Sequence, residues 1–187
     1  MNTFSRNAPQ ILETDRLILR APFEKSDGAT VNTAIRHSHN ELKEWLPFAQ
    51  SVPLLEETEK NLKQAYDDFI NRKSFRYLIF NKNTLEFVGV VTLLSINWEV
   101  PKCEIGYWSD TRATGKGYMN EAVTSLKELG TNYFKFNRME IKCESTNYKS
   151  RSIPEKLGFE LEGILKNEDL SADGKKLTDT CIYAITK

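Results

Sequence analysis

The sequence predicts a mixed α/β (α+β) fold in which about seven strands form one mixed sheet with helices on both faces. Three observations support this fold class. Strand-like and helix-like patterns are interleaved along the chain without strict alternation. No repeat, low-complexity tract or Pro/Gly-rich linker divides the chain. The length of 187 residues suits one hydrophobic core. We therefore expect a single domain over residues 1–187.

The first half of the chain predicts three strands and two helical regions. Apolar and β-favouring residues indicate strands at 16–20, 75–80 and 87–96. The turn-like segment 81–84 makes the last two a hairpin. A polar, helix-compatible stretch at 24–45 is broken by Pro47. A second helix is predicted soon after Pro53, because Leu62, Ala65, Tyr66, Phe69 and Ile70 recur at helical spacing.

The second half predicts four strands and two helices. Short strands are expected at 104–108 and 139–143. Between them, an apolar stripe from Met119 to Phe134 predicts an amphipathic helix of about 17 residues. A short helix at 147–157 is expected to end at Gly158. Two final strands, at 159–165 and 176–185, flank a turn that contains Asp173 and Gly174.

Composition excludes several classes of protein. The 26 basic and 26 acidic residues cancel, so no global field favours nucleic acid or an anionic membrane. The polar N-terminal segment does not resemble a signal peptide, and no segment approaches the roughly 18 apolar residues of a membrane helix. Three widely spaced cysteines, Cys103, Cys143 and Cys181, suit reduced structural thiols rather than a disulfide framework or a metal site. We expect a cytoplasmic protein without a metal.

The segment Arg112-Ala-Thr-Gly-Lys-Gly117 carries the main chemical signal. It lies between a predicted strand and the long amphipathic helix. Glycine lets backbone N–H groups approach a ligand closely, and a helix N-terminus attracts negative charge. The pattern therefore predicts a pyrophosphate-binding loop, with a plain tight turn as the alternative. It is neither a Walker loop, since Gly117 follows Lys116, nor a dinucleotide fingerprint, since Asn120 replaces the third glycine.

Further motifs identify the family. The pattern Arg112-x-x-Gly115-x-Gly117 resembles the acyl-CoA loop of the GNAT superfamily of N-acetyltransferases, and nearly the whole chain is similar to its RimJ/RimL branch. The matching segments, in order, are 13–20, 42–47, 89–93, 104–108, 117–123, 147–150 and 156–163. That branch acetylates the N-termini of ribosomal proteins. The resemblance implies a mostly antiparallel twisted sheet and acetyl-CoA as the co-substrate.

The resemblance also implies which residues hold the cofactor. In the family, the strand corresponding to 104–108 separates from its neighbour, and its free N–H groups meet the thioester and the pantetheine arm. The expected contacts are Ile105, Gly106, Tyr107, Arg112, Ala113, Thr114, Gly115, Lys116, Gly117, Tyr118, Asn147 and Ser150. Gly106 fits a β-bulge or a close ligand approach, with a glycine retained for packing as the alternative.

Glu104 and Ser150 are the candidate catalytic residues. Strand alternation places Glu104 on one face with Gly106, where it would act as general base through a water; a salt-bridged strand carboxylate is the alternative. Many GNAT enzymes use a tyrosine as the acid where this chain has Pro154. The RimJ/RimL branch uses a serine, which corresponds to Ser150. Ser150 or Ser152 could instead cap the short helix, with Ser152 and Glu155 forming a capping box.

The acceptor is left open among several alternatives. Trp45 and Phe48, in an apolar loop, are candidates for substrate contact, with plain packing as the alternative. The branch also places an acidic residue near the incoming amine, which corresponds to Glu168 or Asp169 unless both belong to a charged hairpin edge. The first hypothesis for the acceptor is the N-terminal α-amine of a ribosomal protein. A small amine such as a polyamine, an amino acid or an antibiotic is the alternative, and a non-catalytic acyl-CoA-binding sensor is a third hypothesis. A homodimer is compatible with the sequence.

Overall fold

The computed structural model describes residues 7–187 and contains one eight-stranded sheet. The strands are β1 (Ile11–Glu13), β2 (Leu17–Arg20), β3 (Phe75–Asn81), β4 (Phe87–Asn97), β5 (Lys102–Ser109), β6 (Arg138–Glu144), β7 (Glu160–Leu170) and β8 (Leu177–Thr186). The helices are α1 (Asp27–His37), α2 (His39–Trp45), α3 (Leu55–Ile70), α4 (Tyr118–Glu128) and α5 (Tyr148–Lys156). Short 3₁₀ turns lie at Pro47–Ala49 and Thr111–Ala113.

The strands follow the order β1-β2-β3-β4-β5-β6-β8-β7 across the sheet. Every neighbouring pair is antiparallel except β5 and β6. The predicted mixed, mostly antiparallel sheet is therefore confirmed. The additional strand is β1, which the sequence analysis did not predict because only three residues, Ile11–Glu13, pair with β2.

The predicted helical stretch 24–45 divides into α1 and α2 at Ser38. The Ser38 side chain is fully buried, and its hydroxyl oxygen accepts the backbone N–H of Thr111 at 2.9 Å. The break therefore ties the end of α1 to the segment that follows β5. The predicted helix after Pro53 is confirmed as α3, whose first turn is capped by Glu57, a carboxylate that accepts the Leu54 N–H at 2.7 Å.

The long amphipathic helix is confirmed in position but changes its geometry near its end. Tyr118–Glu128 is α-helical, and Leu129–Phe134 continues as a wider π-helical turn. Lys135 then ends the helix with a left-handed backbone, φ +61°. A π turn has no distinctive apolar period, so the sequence did not predict it.

Apolar side chains pack on both faces of the sheet. On the α4 face, the rings of Phe75 and Phe134 stack with their centroids 5.0 Å apart inside the larger cluster. On the other face, α1 and α3 cover a smaller cluster of Val31, Ile35, Leu62, Leu78 and Val90. Each fully buried side chain of this kind contributes about 1.5–3 kcal/mol. The expected helices on both faces are confirmed, and none of the helices within residues 7–187 combines the length and apolarity that a bilayer span requires.

Candidate active site

The glycine-rich segment forms a tight left-handed turn that ends in α4. Gly115 and Gly117 both have φ +77°, a conformation that other residues adopt only with strain. A Cβ on Gly115 would meet no atom within 4 Å, so the space beside the turn is open. Gly117 is the N-cap, and the N–H groups of the first turn of α4, which begins at Tyr118, have no helical carbonyl to bond. The turn therefore leads directly into a helix N-terminus with unpaired N–H groups, and pyrophosphate binding there stays a prediction.

The two cations of this loop have different environments. The Arg112 guanidinium is paired with the buried carboxylate of Asp110, with Nε–Oδ1 and Nε–Oδ2 distances of 3.0 and 3.1 Å. Burial raises the pKa of Asp110, but hydrogen bonds from Arg112 outweigh this effect and the pKa is lowered overall. The Lys116 side chain is exposed and lies 6.0 Å from the centroid of the Tyr118 ring. Arg112 thus shapes the loop, and Lys116 is the more available charge for a ligand.

A second interaction, which the sequence does not predict, holds the loop against the turn between β1 and β2. The Arg16 Nε donates to Glu121 Oε2 at 2.6 Å, and Arg16 Nη1 donates to the Lys116 carbonyl at 3.0 Å. Glu121 also accepts the Thr14 hydroxyl at 2.6 Å. These contacts fix the first turn of α4 and the glycine turn as one unit. In the sequence, Glu121 is only a carboxylate in the first turn of a helix. Such residues are common, so the sequence could not identify Arg16, 105 residues away, as its partner.

Strand β5 separates from β6 beside this loop. Their parallel pairing includes only Lys102, Cys103 and Glu104, opposite Arg138, Met139 and Glu140. Beyond that point β5 continues to pair with β4, and β6 with β8. The edge of β5 at Ile105, Gly106 and Tyr107 is therefore not paired with β6, as the resemblance implied. The β-bulge alternative for Gly106 is wrong, because Gly106 pairs regularly with Thr92 and the irregularity lies between Leu94 and Asn97.

Ser150 lies across this gap from Tyr107. The Tyr107 phenol donates to the Ser150 carbonyl at 2.9 Å, and the Ser150 hydroxyl donates to the phenol oxygen at 3.3 Å. Burial raises the pKa of Tyr107 above its ordinary range, more than the hydrogen bond with Ser150 lowers it. The phenol therefore stays protonated at neutral pH. Two proposed cofactor contacts, one on β5 and one on α5, are brought together by this arrangement.

Asn147 caps α5. Its Oδ1 accepts the Ser150 backbone N–H at 3.0 Å, and the helix begins at the next residue, Tyr148. The capping alternatives for the two serines are wrong, since neither occupies the N-cap. Ser152 donates instead to the Lys149 carbonyl at 2.8 Å. The hydroxyl of Ser150 is thus free of a capping role and faces the gap between β5 and β6.

Glu104 is the last residue of β5 paired with β6. Its Oε2 lies 3.6 Å from Lys142 Nζ, and Lys142 also approaches Glu140 at 3.5 Å. Burial raises the pKa of Glu104, and the attraction of Lys142 only partly opposes that effect. The contact with Lys142 agrees with the salt-bridged alternative, and the role of Glu104 as general base stays a prediction.

A cleft of about 610 Å³ lies on the α1/α3 face of the sheet and reaches Gly106 and Trp108 of β5. Phe48 lines it, and the ring of Phe48 is 6.3 Å from that of Trp108. Trp45 is half-buried but does not line the cleft; Leu46, the next residue, does. Of the two predicted aromatic contacts, the structure brings only Phe48 to this cleft.

Glu168 and Asp169 lie far along the terminal strand β7, with exposed side chains. Asp169 pairs with Thr178 of β8, and neither acidic residue lines the cleft.

A smaller cavity of about 530 Å³ borders the glycine turn and is lined by Arg112, Ala113, Lys116 and Tyr118 together with residues of α1 and β4. Among residues 7–187, no three His, Cys, Asp or Glu side chains are grouped to hold a metal ion.

Comparison with known proteins agrees with this geometry. Residues 16–160 match the model of the acetyltransferase (GNAT) domain. The chain belongs to the GNAT acetyltransferase family. This GNAT chain is 26% identical over 146 residues to the ribosomal-protein-serine acetyltransferase of Escherichia coli, covering 76% of this chain and 79% of that protein. As a member of the family, it is an acetyl-CoA-dependent acetyltransferase.

Two other similar proteins extend the comparison. An uncharacterized N-acetyltransferase of Bacillus licheniformis is 33% identical over 112 residues, which is 60% of this chain and 62% of that protein. The structure of a RimL ribosomal-protein α-N-acetyltransferase, solved in complex with coenzyme A, superimposes with a TM-score of 0.86 at 26% identity. That similarity covers 94% of this GNAT chain and 97% of the other.

The cleft also contains a charged residue whose position the sequence does not predict. Arg76 lines it from β3, and its Nη1 donates to Asn61 Oδ1 at 2.6 Å. The signal was present in the sequence, since Arg76 is the only charged residue in the otherwise apolar and aromatic run Phe75–Phe80. A charge at one position of a strand does not reveal which neighbour it faces, because that depends on pairing with distant strands.

Proposed function

We propose that this enzyme transfers the acetyl group of acetyl-CoA to the N-terminal α-amine of a protein. The observation that carries the proposal is the position of the cleft of about 610 Å³, which crosses β3, β4 and β5 and ends where β5 separates from β6. An extended peptide can lie in such a cleft with its terminus at the separated strand. The similarity to ribosomal-protein acetyltransferases supports a ribosomal protein as the acceptor.

In this proposal, the backbone of Ile105, Gly106 and Tyr107 meets the thioester and pantetheine arm from the unpaired edge of β5. The glycine turn, Lys116 and the N-terminus of α4 hold the pyrophosphate. Backbone donors directed at the carbonyl oxygen stabilise the tetrahedral oxyanion, and one such donor typically contributes about 3 kcal/mol to lowering the barrier. The position of these groups on strand and helix, rather than on a long loop, supports this role.

The reaction is a direct transfer. The neutral amine attacks the thioester carbon, a tetrahedral oxyanion forms, and the carbon–sulfur bond then breaks. The amine loses a proton, for which Glu104 is the proposed acceptor through a water molecule. The leaving thiolate gains a proton from the Ser150 hydroxyl, which regains one from solvent. A thiol has a pKa of about 8.5, so the thiolate is a weak base that leaves readily and needs only modest help from a well-placed donor such as the Ser150 hydroxyl.

The α-amine is a suitable nucleophile for a site with a modest base. An N-terminal amine has a pKa of about 8 and a lysine side chain about 10.4, so the neutral α-amine is favoured by about 3 kcal/mol. Burial raises the pKa of Glu104 and Lys142 opposes part of that rise, so Glu104 is a weaker base than burial alone would make it. An α-amine requires less from such a base than a lysine would.

The test is release of free thiol from acetyl-CoA in the presence of two series of acceptors. One contains peptides that begin with Ser, Ala or Thr, each prepared with a free and with a blocked N-terminus; the other contains small primary amines. Turnover of the free peptides that disappears on blocking would support the proposal. Turnover of small amines alone would show a metabolite acetyltransferase instead. Tight coenzyme A binding without turnover in either series would favour a sensor.

A further inference from the structure

One row of residues crosses the cleft floor in register. Arg76 of β3 pairs with Thr92 of β4, and Thr92 pairs with Gly106 of β5. All three line the cleft. Neighbouring strands are about 4.8 Å apart, so Arg76 starts about 10 Å from Gly106 across the sheet. The same row therefore connects the strand proposed to hold the thioester with a cationic side chain.

Within the described part of the chain, the guanidinium of Arg76 has a neutral hydrogen-bond partner and no ion pair. Asn61 accepts one of its five N–H donors at 2.6 Å. Among residues 7–187, no carboxylate lies within 4 Å of it. Burial lowers the pKa of Arg76, and the negative charge of the more distant Asp68 opposes that shift. Arginine nevertheless stays charged at every physiological pH.

Glu57, an acidic residue of the cleft, already has a hydrogen-bond partner at the N-terminus of α3. Glu57 lines the cleft, but its carboxylate caps α3 by accepting the Leu54 N–H. Arg76 lines the open cleft, so the donors that Asn61 does not occupy are available to a ligand. The planar guanidinium fork suits a carboxylate, which can accept two parallel hydrogen bonds.

We propose that Arg76 selects acceptors that carry a carboxylate near the reacting amine, at the second or third residue of the acceptor protein. This inference rests on the proposed function, since it places the acceptor amine above Gly106. An extended chain advances about 3.3–3.6 Å per residue, so a span of about 10 Å reaches the second or third side chain. A free α-amino acid is too short, because its amine and carboxylate are attached to one carbon.

The experiment compares peptides with identical sequences except for Glu or Gln at the second, third or sixth position. The measured quantity is the ratio of kcat/KM for the Glu peptide to that for its Gln counterpart. A charge-assisted pair of this kind predicts a ratio of about 10–100 at the second or third position, and a ratio near one at the sixth. A ratio near one at every position would overturn the proposal.

Variants connect the preference to the residue. Arg76→Gln is expected to reduce the ratio to about one, and Arg76→Lys, which keeps the charge but loses the fork, is expected to leave an intermediate ratio. Lys73→Gln is the matched control, because it removes one positive charge from an exposed position just before β3. A ratio that survives in Arg76→Gln, with folding verified by thermal melting, would overturn the proposal.

A second acceptor series separates this inference from the proposed function. It contains ω-amino carboxylates of increasing chain length and the alkylamines that match them. If peptides are not turned over but a carboxylate preference rises with length and is lost in Arg76→Gln, Arg76 has the proposed role and the protein-acetyltransferase proposal fails. If peptides are turned over without a Glu preference, the protein-acetyltransferase proposal stands and the proposed role of Arg76 fails. Absence of turnover in both series would overturn both proposals.

Discussion

Tyr107 and Ser150 are joined by two hydrogen bonds across the gap between β5 and α5: the phenol donates to the serine carbonyl at 2.9 Å, and the serine hydroxyl approaches the phenol oxygen at 3.3 Å. The phenol is thus held by the backbone of α5, while the Ser150 hydroxyl keeps lone pairs and a rotatable proton. The pair connects the proposed oxyanion strand with the proposed acid.

Replacing Ser150 tests this acid role. Ser150→Ala is expected to lower kcat by about 100-fold, because general acid catalysis typically contributes a factor of at least that size. Coenzyme A affinity, measured by calorimetry, should change little. Ser152→Ala is the matched control, since its hydroxyl only bonds to the Lys149 carbonyl within α5. Equal kcat values for wild type and Ser150→Ala would remove Ser150 from the mechanism.

Glu104 predicts a pH-dependent change in stability. Burial raises its pKa in the folded protein above the unfolded value. Its contribution to stability is therefore full below the ordinary glutamate pKa and is lost as pH rises through the raised folded-state value. Glu104→Gln should then melt at a higher temperature than wild type at pH 8, with no such gain at pH 4.

Glu140→Gln is expected to change the melting temperature at pH 8 in the opposite direction to Glu104→Gln. Burial raises the Glu140 pKa, but Arg138 outweighs it and the net pKa is lowered. The ion pair contributes stability above the ordinary glutamate pKa, so the Glu140→Gln variant should melt at a lower temperature than wild type at pH 8.

If Glu104 is also the base, the Glu104→Gln variant should lose the ascending limb of the rate–pH profile. Two variants that shift the melting temperature in the same direction at pH 8 would contradict the assigned environments.

The glycine turn predicts separate effects on stability and on cofactor binding. Gly115→Ala places a Cβ on a left-handed residue, which costs about 1–2 kcal/mol. Gly174→Ala is a matched control in the β7–β8 turn, where φ is +70° and a Cβ would also meet no atom within 4 Å. Both variants should lose similar stability in urea melts. Only Gly115→Ala should raise the KM for acetyl-CoA, and an unchanged KM would show that this turn does not hold the pyrophosphate.

Cys143 is predicted to react slowly with alkylating reagents. Burial, the largest effect, raises its thiol pKa to about 11. At pH 8 its thiolate fraction is then about 200-fold lower than that of an ordinary thiol with a pKa of about 8.5. Iodoacetamide labelling followed by peptide mass spectrometry should show little modification in the native protein and rapid modification in urea. Rapid native labelling would indicate an open, ionised thiol beside Ser150.

Sequence periodicity predicted most of the fold because the apolar faces are long. The helix from Met119 to Phe134 and the hairpin of β3 and β4 each present several apolar residues at one spacing. The missed features have no such signal. Strand β1 is three residues long, and the break between α1 and α2 depends on Ser38 reaching Thr111.

The candidate site was predicted where its residues are close together in the sequence. The glycine turn is a local pattern, so its backbone conformation followed from the motif. The position of Arg76 in the cleft depends on the register of three strands, and the environment of Glu104 depends on Lys142 of β6. Such cross-strand relationships are set by tertiary packing and cannot be derived from spacing in one strand.

The short contact between β5 and β6 also affects how the protein responds to its own co-substrate. Three register pairs connect the five N-terminal strands to β6, β8 and β7. A pantetheine arm bound along the free edge of β5 would replace hydrogen bonds that the sheet itself lacks. Ligand at 100 times its Kd adds about 2.7 kcal/mol to the stability of a folded protein. The supply of acetyl-CoA would then set the resistance of this enzyme to unfolding and proteolysis as well as its rate of turnover.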